Sequence, residues 1–190
     1  MKRLLLALLT AASINLALAV EIGGVKFDDK TRVGASETVI NGAGIRKKAF
    51  FKVYAIALYL PEKRTAAEGV FTAKGAKRVS IATLRDLSAK QFVEGLQEGV
   101  AANHSDTEKA ALKDRMQQLS DTMLAIGEAK QGTTVLIDWL PESGTRLTVN
   151  GKVIGKDIAG EDFFKALLKI WLGQKPVQDD LKQALLGKES

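Results

Sequence analysis

The feature of this sequence that most restricts its fold is the stretch FFKVYAIALYL at residues 50–60. Alternate side chains of a β-strand point to opposite faces of the sheet. The two alternating sets are Phe51, Val53, Ala55, Ala57 and Tyr59 on one face, and Tyr54, Ile56, Leu58 and Leu60 on the other. Because apolar side chains on both faces need cover on both sides, we predict a central strand that is ended by Pro61.

Further strand-like segments lie before and after this central strand. We predict a short strand pair, or one strand with a glycine kink, at residues 20–28. A further strand is predicted to begin at residues 38–40 and to be broken by the glycines of the NGAG sequence that follows. Later strands are predicted at residues 78–84, 133–140 and 145–154. Asn150-Gly151 in the last of these segments is a strong signal for a type I′ hairpin turn.

Two serine capping boxes mark the starts of long helices. Ser88 is followed by Gln91, and Ser105 is followed by Glu108, so that in each case the two side chains can satisfy free amide groups of the first helical turn. Apolar residues then recur at helical spacing, and further helices are predicted at residues 161–172 and 179–186. The resulting fold class is α+β, with a mostly antiparallel sheet of six or seven strands and a helical layer on one side.

Two glycines interrupt the first long helix. Gly95 and Gly99 each weaken a helix by about 1 kcal/mol relative to alanine. We therefore predict that another group packs or binds closely against them.

Composition excludes several kinds of site. The chain has no cysteine and a single histidine, His104, so thiolate metal sites, His-rich metal sites and bis-histidine haem are excluded. We expect neither a metal nor another cofactor. Lys2 and Arg3 lie in a predicted signal peptide, described below, and are left out of the charge count. The remaining chain has 26 of the 28 basic residues and 22 acidic residues, so its net charge is +4, and the charges are well mixed along the chain. This balance does not indicate a nucleic-acid partner.

The N-terminus has the pattern of a secretory signal peptide. Lys2 and Arg3 precede an apolar run that ends in the small residues Ala17-Leu18-Ala19. The run is short for a membrane span and has no stop-transfer flank, which makes the alternative of a membrane anchor weaker. We predict that residues 1–19 are a signal peptide, that residues 20–190 form one domain, and that the protein is periplasmic.

Three motifs resemble the chalcone isomerase-like family, in particular its exported bacterial branch. They are NGAGIRKK at residues 41–48, KVYAIALYL at residues 52–60 and IWLGQKPV at residues 170–177. The resemblance covers residues 22–187. It implies an open-faced β-sandwich with a ligand cleft between a long curved sheet and a helical layer.

The same resemblance allows the site of true chalcone isomerases to be compared position by position. Their anion-holding arginine corresponds to Arg46, and their hydrogen-bonding residues correspond to Tyr54, Phe92, Gly99 and Ile170, so that only the cation is clearly retained. Each lost donor that stabilises developing charge lowers the reaction rate by a factor on the order of 10²–10³. These replacements therefore argue against chalcone isomerase activity.

The retained arginine, in a cleft that has become more apolar, resembles the fatty-acid-binding members of the fold. We expect a non-catalytic binding protein for a small amphipathic acid, with Trp171 as core or cleft wall. Strand alternation places Tyr59 on the opposite face from Tyr54, so at most one of them shares the Arg46 site.

The residues themselves leave other interpretations open. Arg46 can instead pair with Asp86 or Glu94 as a structural ion pair. The protein can also be an isomerase or lyase that uses Tyr54 as its acid, or a protein-interaction module that has only inherited the fold. The cluster of Lys47, Lys48 and Lys52 fits a solvated edge, with contact to anionic lipid as the less favoured alternative.

The signal-peptide hypothesis predicts one defined N-terminus. Sequencing of the exported protein is expected to read Val-Glu-Ile-Gly-Gly, because the cleavage pattern places the cut after Ala19. A protein recovered only from membranes, with Met1 intact, would contradict it.

Overall fold

A computed structural model describes residues 19–188 of the chain, so the predicted signal peptide lies outside the described residues except for Ala19. The strands are β1 (Ala19–Ile22), β2 (Val25–Asp28), β3 (Lys30–Val33), β4 (Ser36–Lys48), β5 (Phe51–Leu60), β6 (Lys77–Thr83), β7 (Leu87–Ser88), β8 (Glu128–Ala129), β9 (Thr134–Leu140), β10 (Gly144–Val149) and β11 (Lys152–Ile158). The helices are α1 (Ala67–Thr72), α2 (Ala89–Ala102), α3 (Asp106–Leu124), α4 (Glu161–Leu172) and α5 (Asp179–Leu185). No helix within this part of the chain is both long and apolar enough to cross a membrane.

Seven of the strands form one antiparallel sheet in the order β11-β10-β9-β6-β5-β4-β3. Strand β5 lies between β4 and β6, and its residues from Ala55 to Leu60 are buried on both faces. The predicted central strand and the α+β class are therefore confirmed.

The two faces of β5 belong to separate hydrophobic clusters. Ile56, Leu58 and Leu60 pack into the large cluster, to which all five helices contribute. Ala55, Ala57 and Tyr59 pack instead under the β1–β2 hairpin, with Phe27 buried between them. The helices thus form one layer, and the hairpin covers part of the other face.

Strand β4 corrects the prediction of a glycine-broken segment, because it runs unbroken through residues 41–44 with only a register shift between Ile40 and Gly42. The glycines make room for α5. A Cβ atom on Gly42 would overlap the carbonyl oxygen of Ala184, and one on Gly44 would lie 2.8 Å from Leu181 Cδ1. The Asn41 amide fixes this contact by donating to the Leu185 carbonyl at 2.7 Å.

Most of the local signals in the sequence are confirmed. Both capping boxes form, at Ser88 and at Ser105. The Asn150-Gly151 turn has φ values of 47° and 78° and joins β10 to β11. Helix α1 and the short strands β3, β7 and β8 were not predicted, because each is too short to show a periodic pattern.

The prediction for the two helical glycines is right for one of them. A Cβ atom on Gly99 would lie 2.7 Å from Ile170 Cγ2, so α4 packs directly on this position. A Cβ atom on Gly95 would meet nothing within 4 Å.

These two glycines predict opposite effects of the same substitution in one helix. Gly95→Ala is expected to stabilise the protein by about 0.5–1 kcal/mol, because it improves helix propensity in open space. Gly99→Ala is expected to destabilise it by about 1–2 kcal/mol, because the methyl group overlaps a buried side chain. Urea unfolding followed by circular dichroism measures both, and equal changes in the free energy of unfolding would contradict the close α2–α4 contact.

Candidate functional site

Four elements meet around the hydroxyl group of Tyr54. Strand β5 carries Tyr54, and the neighbouring strand β4 places Arg46 directly opposite it in the register. Residues paired in this way project from the same face of the sheet. Helix α2 adds Phe92, and helix α4 adds Trp171, so that four of the six predicted site residues lie together.

The ring and hydroxyl of Tyr54 are held by these neighbours. Its ring stacks on that of Phe92, with centroids 6.3 Å apart and planes inclined by 15°. The indole Nε1–H of Trp171 donates to the Tyr54 hydroxyl oxygen at 3.0 Å. Because an indole only donates, the hydroxyl hydrogen of Tyr54 stays available for another acceptor.

Burial raises the pKa of Tyr54 above its ordinary value, and the hydrogen bond from Trp171 and the charge of Arg46 only partly oppose this. The phenol therefore stays protonated at neutral pH, as a hydrogen-bond donor. The Asp86 carboxylate is not a hydrogen-bond partner of Tyr54, since it accepts from Lys130 Nζ at 3.1 Å and from the Gln131 amide at 2.8 Å.

Arg46 is bound to neutral groups. Its guanidinium donates to the Lys47 carbonyl and, at 3.3 Å, to Gln178 Oε1. Gln178 precedes α5 and also binds the β4 backbone, since it accepts from the Lys47 amide at 2.7 Å and donates to the Ile45 carbonyl at 3.1 Å. Arg46 is half-buried.

The alternative that Arg46 pairs with Asp86 or Glu94 is wrong. Asp86 pairs with Lys130, and Glu94 lies 3.8 Å from Lys90. Among residues 19–188, the structure gives Arg46 no salt bridge.

The two remaining predicted site residues, Gly99 and Ile170, contact each other. Both are buried, and their contact packs α2 against α4. Phe92 lies two turns before Gly99 on α2, and Trp171 follows Ile170 on α4. The contact between the two helices therefore fixes the distance between the side chains of Phe92 and Trp171.

Tyr59 is excluded from this site, as strand alternation predicted. Its hydroxyl donates to the Asp28 carbonyl at 2.9 Å on the opposite face of the sheet. Burial there raises the pKa of Tyr59 to about 12.

A small apolar cavity lies beside Phe92, between the sheet and helices α2 and α3. Its volume is about 20 Å³, and its lining residues are Ala89, Phe92, Met123, Ile126, Ala129, Val135, Leu147 and Val149. A cavity of this size holds about one water molecule, whereas ligand pockets measure about 300–1,000 Å³. The apolar tail of a ligand could therefore enter this cavity only if side chains such as Phe92 moved.

A larger groove, which the sequence analysis did not identify, lies between α2 and α3. Its volume is about 210 Å³, and it is lined by Gln97, Val100, Ala101, Lys109, Leu112, Lys113, Met116 and Gln117. Of the α3 side chains in this groove, Leu112 is buried and Met116 is partly buried. Within the described residues, no group of three or more histidine or carboxylate side chains is placed to hold a metal ion.

Comparisons with known proteins agree with this architecture. A family model described as chalcone isomerase-like matches residues 19–187. The crystal structure of a fatty-acid binding protein from Arabidopsis thaliana superposes with a TM-score of 0.71 at 14% identity, covering 89% of this chain and 96% of that one. A search of curated proteins found no match.

Proposed function

We propose that this chain, which belongs to the chalcone isomerase-like family, is a non-catalytic binding protein that holds a small amphipathic acid, such as a fatty acid, through Arg46. The observation that carries the proposal is the environment of this arginine. Arg46 is half-buried, pairs with Tyr54 across strands β4 and β5, and has no carboxylate partner among residues 19–188.

The chemistry of the two polar side chains favours a carboxylate ligand. A partly desolvated cation gains from an anionic partner, and a guanidinium binds a carboxylate through two parallel hydrogen bonds. The hydroxyl hydrogen of Tyr54 supplies a further donor, since its oxygen already accepts from Trp171. A ligand carboxylate at this position would replace the long contact of Arg46 with Gln178.

The surroundings favour an apolar tail on the ligand. The aromatic side chains of Phe92 and Trp171 both contact Tyr54, and Phe92 also lines the small apolar cavity. We infer that a bound tail displaces the Phe92 ring and passes into this cavity, between α2 and the strands β9 and β10.

The same residues argue against acid–base catalysis. A buried tyrosine with a raised pKa is a weak proton donor at neutral pH, and Asp86 is held elsewhere. Phe92, Gly99 and Ile170 have no side-chain hydrogen-bonding group at positions where the family's isomerases hold their substrate.

We also propose that the protein acts in the periplasm after removal of residues 1–19. Ala19 is the first residue of β1, where it pairs with Asp28. Cleavage after Ala19 would leave the pairs from Val20 to Ile22 intact, so the proposed cut is compatible with the β1–β2 hairpin.

The binding proposal predicts the effect of removing the cation. Isothermal titration with fatty acids of increasing chain length is expected to show binding to the wild type, and Arg46→Ala is expected to weaken it by about 2–3 kcal/mol, or roughly 30- to 150-fold. Arg46→Lys is expected to fall between the two, because it keeps the charge but loses the planar fork.

Arg32→Ala is the matched control, because Arg32 is an exposed arginine on the edge strand β3. It is expected to bind like the wild type. The proposal fails if the wild type binds no chain length, or if Arg46→Ala and Arg32→Ala bind equally well.

A further inference from the structure

The turn that joins β4 to β5 exposes two adjacent phenylalanines. Lys48 pairs with Phe51, so the turn consists of only Ala49 and Phe50. Phe50 is 99% exposed and Phe51 is 58% exposed, and these are the two most exposed large hydrophobic residues in the part of the chain that the structure describes. Neighbouring exposed aromatics at a projecting turn are characteristic of a contact surface rather than of scattered surface residues.

Positive charge surrounds these rings. Lys47, Lys48 and Lys52 are exposed on the two strands of the turn, and the guanidinium of Arg85 lies 4.6 Å from the centre of the Phe51 ring. No salt bridge involves these four cations within residues 19–188. We call Lys47, Lys48, Phe50, Phe51, Lys52 and Arg85 the hairpin tip.

Asp86 and Asp180 are acidic residues near the hairpin tip. Asp86 follows Arg85, but its carboxylate is bound by Lys130 and the Gln131 amide. Gln178, and more weakly Lys47, holds the pKa of Asp180 below its usual range. The six residues of the hairpin tip include four cations and no acid, so the tip is basic as well as aromatic.

We propose that the hairpin tip docks this protein onto an anionic phospholipid surface. Aromatic rings occupy the boundary between headgroups and acyl chains, and lysine and arginine side chains are attracted to anionic headgroups while their apolar stems accompany the rings. An apolar protein groove would accept the rings but would leave four cations without partners. Charge complementarity therefore favours the lipid surface.

The hairpin tip lies next to the candidate site on strands β4 and β5. Arg46 immediately precedes Lys47 on β4, and Tyr54 lies two residues after Lys52 on β5. Docking thus brings Arg46 and Tyr54 close to the membrane, where an amphipathic acid is concentrated. The docking surface itself does not rest on the proposed ligand, since a protein that binds no acid would still carry the same rings and cations.

The test is sedimentation with phosphatidylcholine vesicles and with vesicles containing one part phosphatidylglycerol to three parts phosphatidylcholine. The protein is taken from the soluble cell fraction, and all variants share one N-terminus. The wild type is expected to bind the anionic vesicles at least tenfold more strongly than the neutral ones, and 0.5 M NaCl is expected to weaken this binding. Phe50→Ser/Phe51→Ser and Lys48→Glu/Lys52→Glu are each expected to reduce it at least tenfold.

Matched controls separate the tip from general hydrophobicity and charge. Val153→Ser changes another exposed apolar residue, four strands away on β11. Lys63→Glu/Lys74→Glu makes the same charge change beyond the opposite end of β5, about 30 Å from the tip. Both controls are expected to bind anionic vesicles like the wild type.

The proposal is overturned if the wild type does not distinguish the two vesicles, or if tip and control variants bind equally. It is also overturned if sedimentation equilibrium shows self-association that Phe50→Ser/Phe51→Ser abolishes, because the rings then serve a protein contact. Fatty-acid titration of Phe50→Ser/Phe51→Ser in lipid-free buffer separates the two proposals. Unchanged ligand affinity with lost vesicle binding supports docking as a separate function.

Discussion

Burial of apolar side chains on both faces of β5 is the constraint on which the other layers of this protein depend. A strand with a single apolar face can border water, but here Ile56 and Leu58 project into the helical layer while Ala55 and Ala57 project the other way. The small size of the alanines allows a two-stranded hairpin to cover them, whereas the larger residues on the inner face require the thicker helical layer. The candidate site lies on the inner face because Tyr54 continues that row toward the Phe51 end of β5.

Close backbone approaches then fix where the polar groups lie. Gly42 and Gly44 let α5 sit directly on β4, and Gln178 at the start of α5 binds the strand beside Arg46. Gly99 lets α4 approach α2, which brings Trp171 within hydrogen-bonding distance of Tyr54. The arrangement of the candidate site is thus a result of packing between elements that are distant in sequence.

This dependence explains which predictions succeeded. The central strand, the capping boxes and the Asn150-Gly151 turn are local patterns, and each could be predicted from a few adjacent residues. The continuity of β4 could not, because the helix that explains its glycines lies about 140 residues later. Nor does local sequence distinguish Gly95 from Gly99, since only the contact with Ile170 separates them.

For the site, the importance of Arg46 came from resemblance to the family, whereas the residue pattern alone favoured a structural ion pair. The structure excludes that ion pair and assigns Asp86 and Glu94 to lysines. The hydrogen bond between Trp171 and Tyr54 joins residues 117 positions apart, and no signal in the sequence indicates it.

We propose that the site around Arg46 and Tyr54 is a receptor for a carboxylate with an apolar tail. Native mass spectrometry of the protein purified from the cells that produce it naturally tests this most directly, because it needs no prior choice of ligand. We expect a fraction of the wild-type protein molecules to carry the additional mass of an amphipathic carboxylic acid. This fraction is expected to be lost in Arg46→Ala but not in Arg32→Ala. A wild-type protein that carries no such mass, or an acid retained equally by Arg46→Ala, would contradict it.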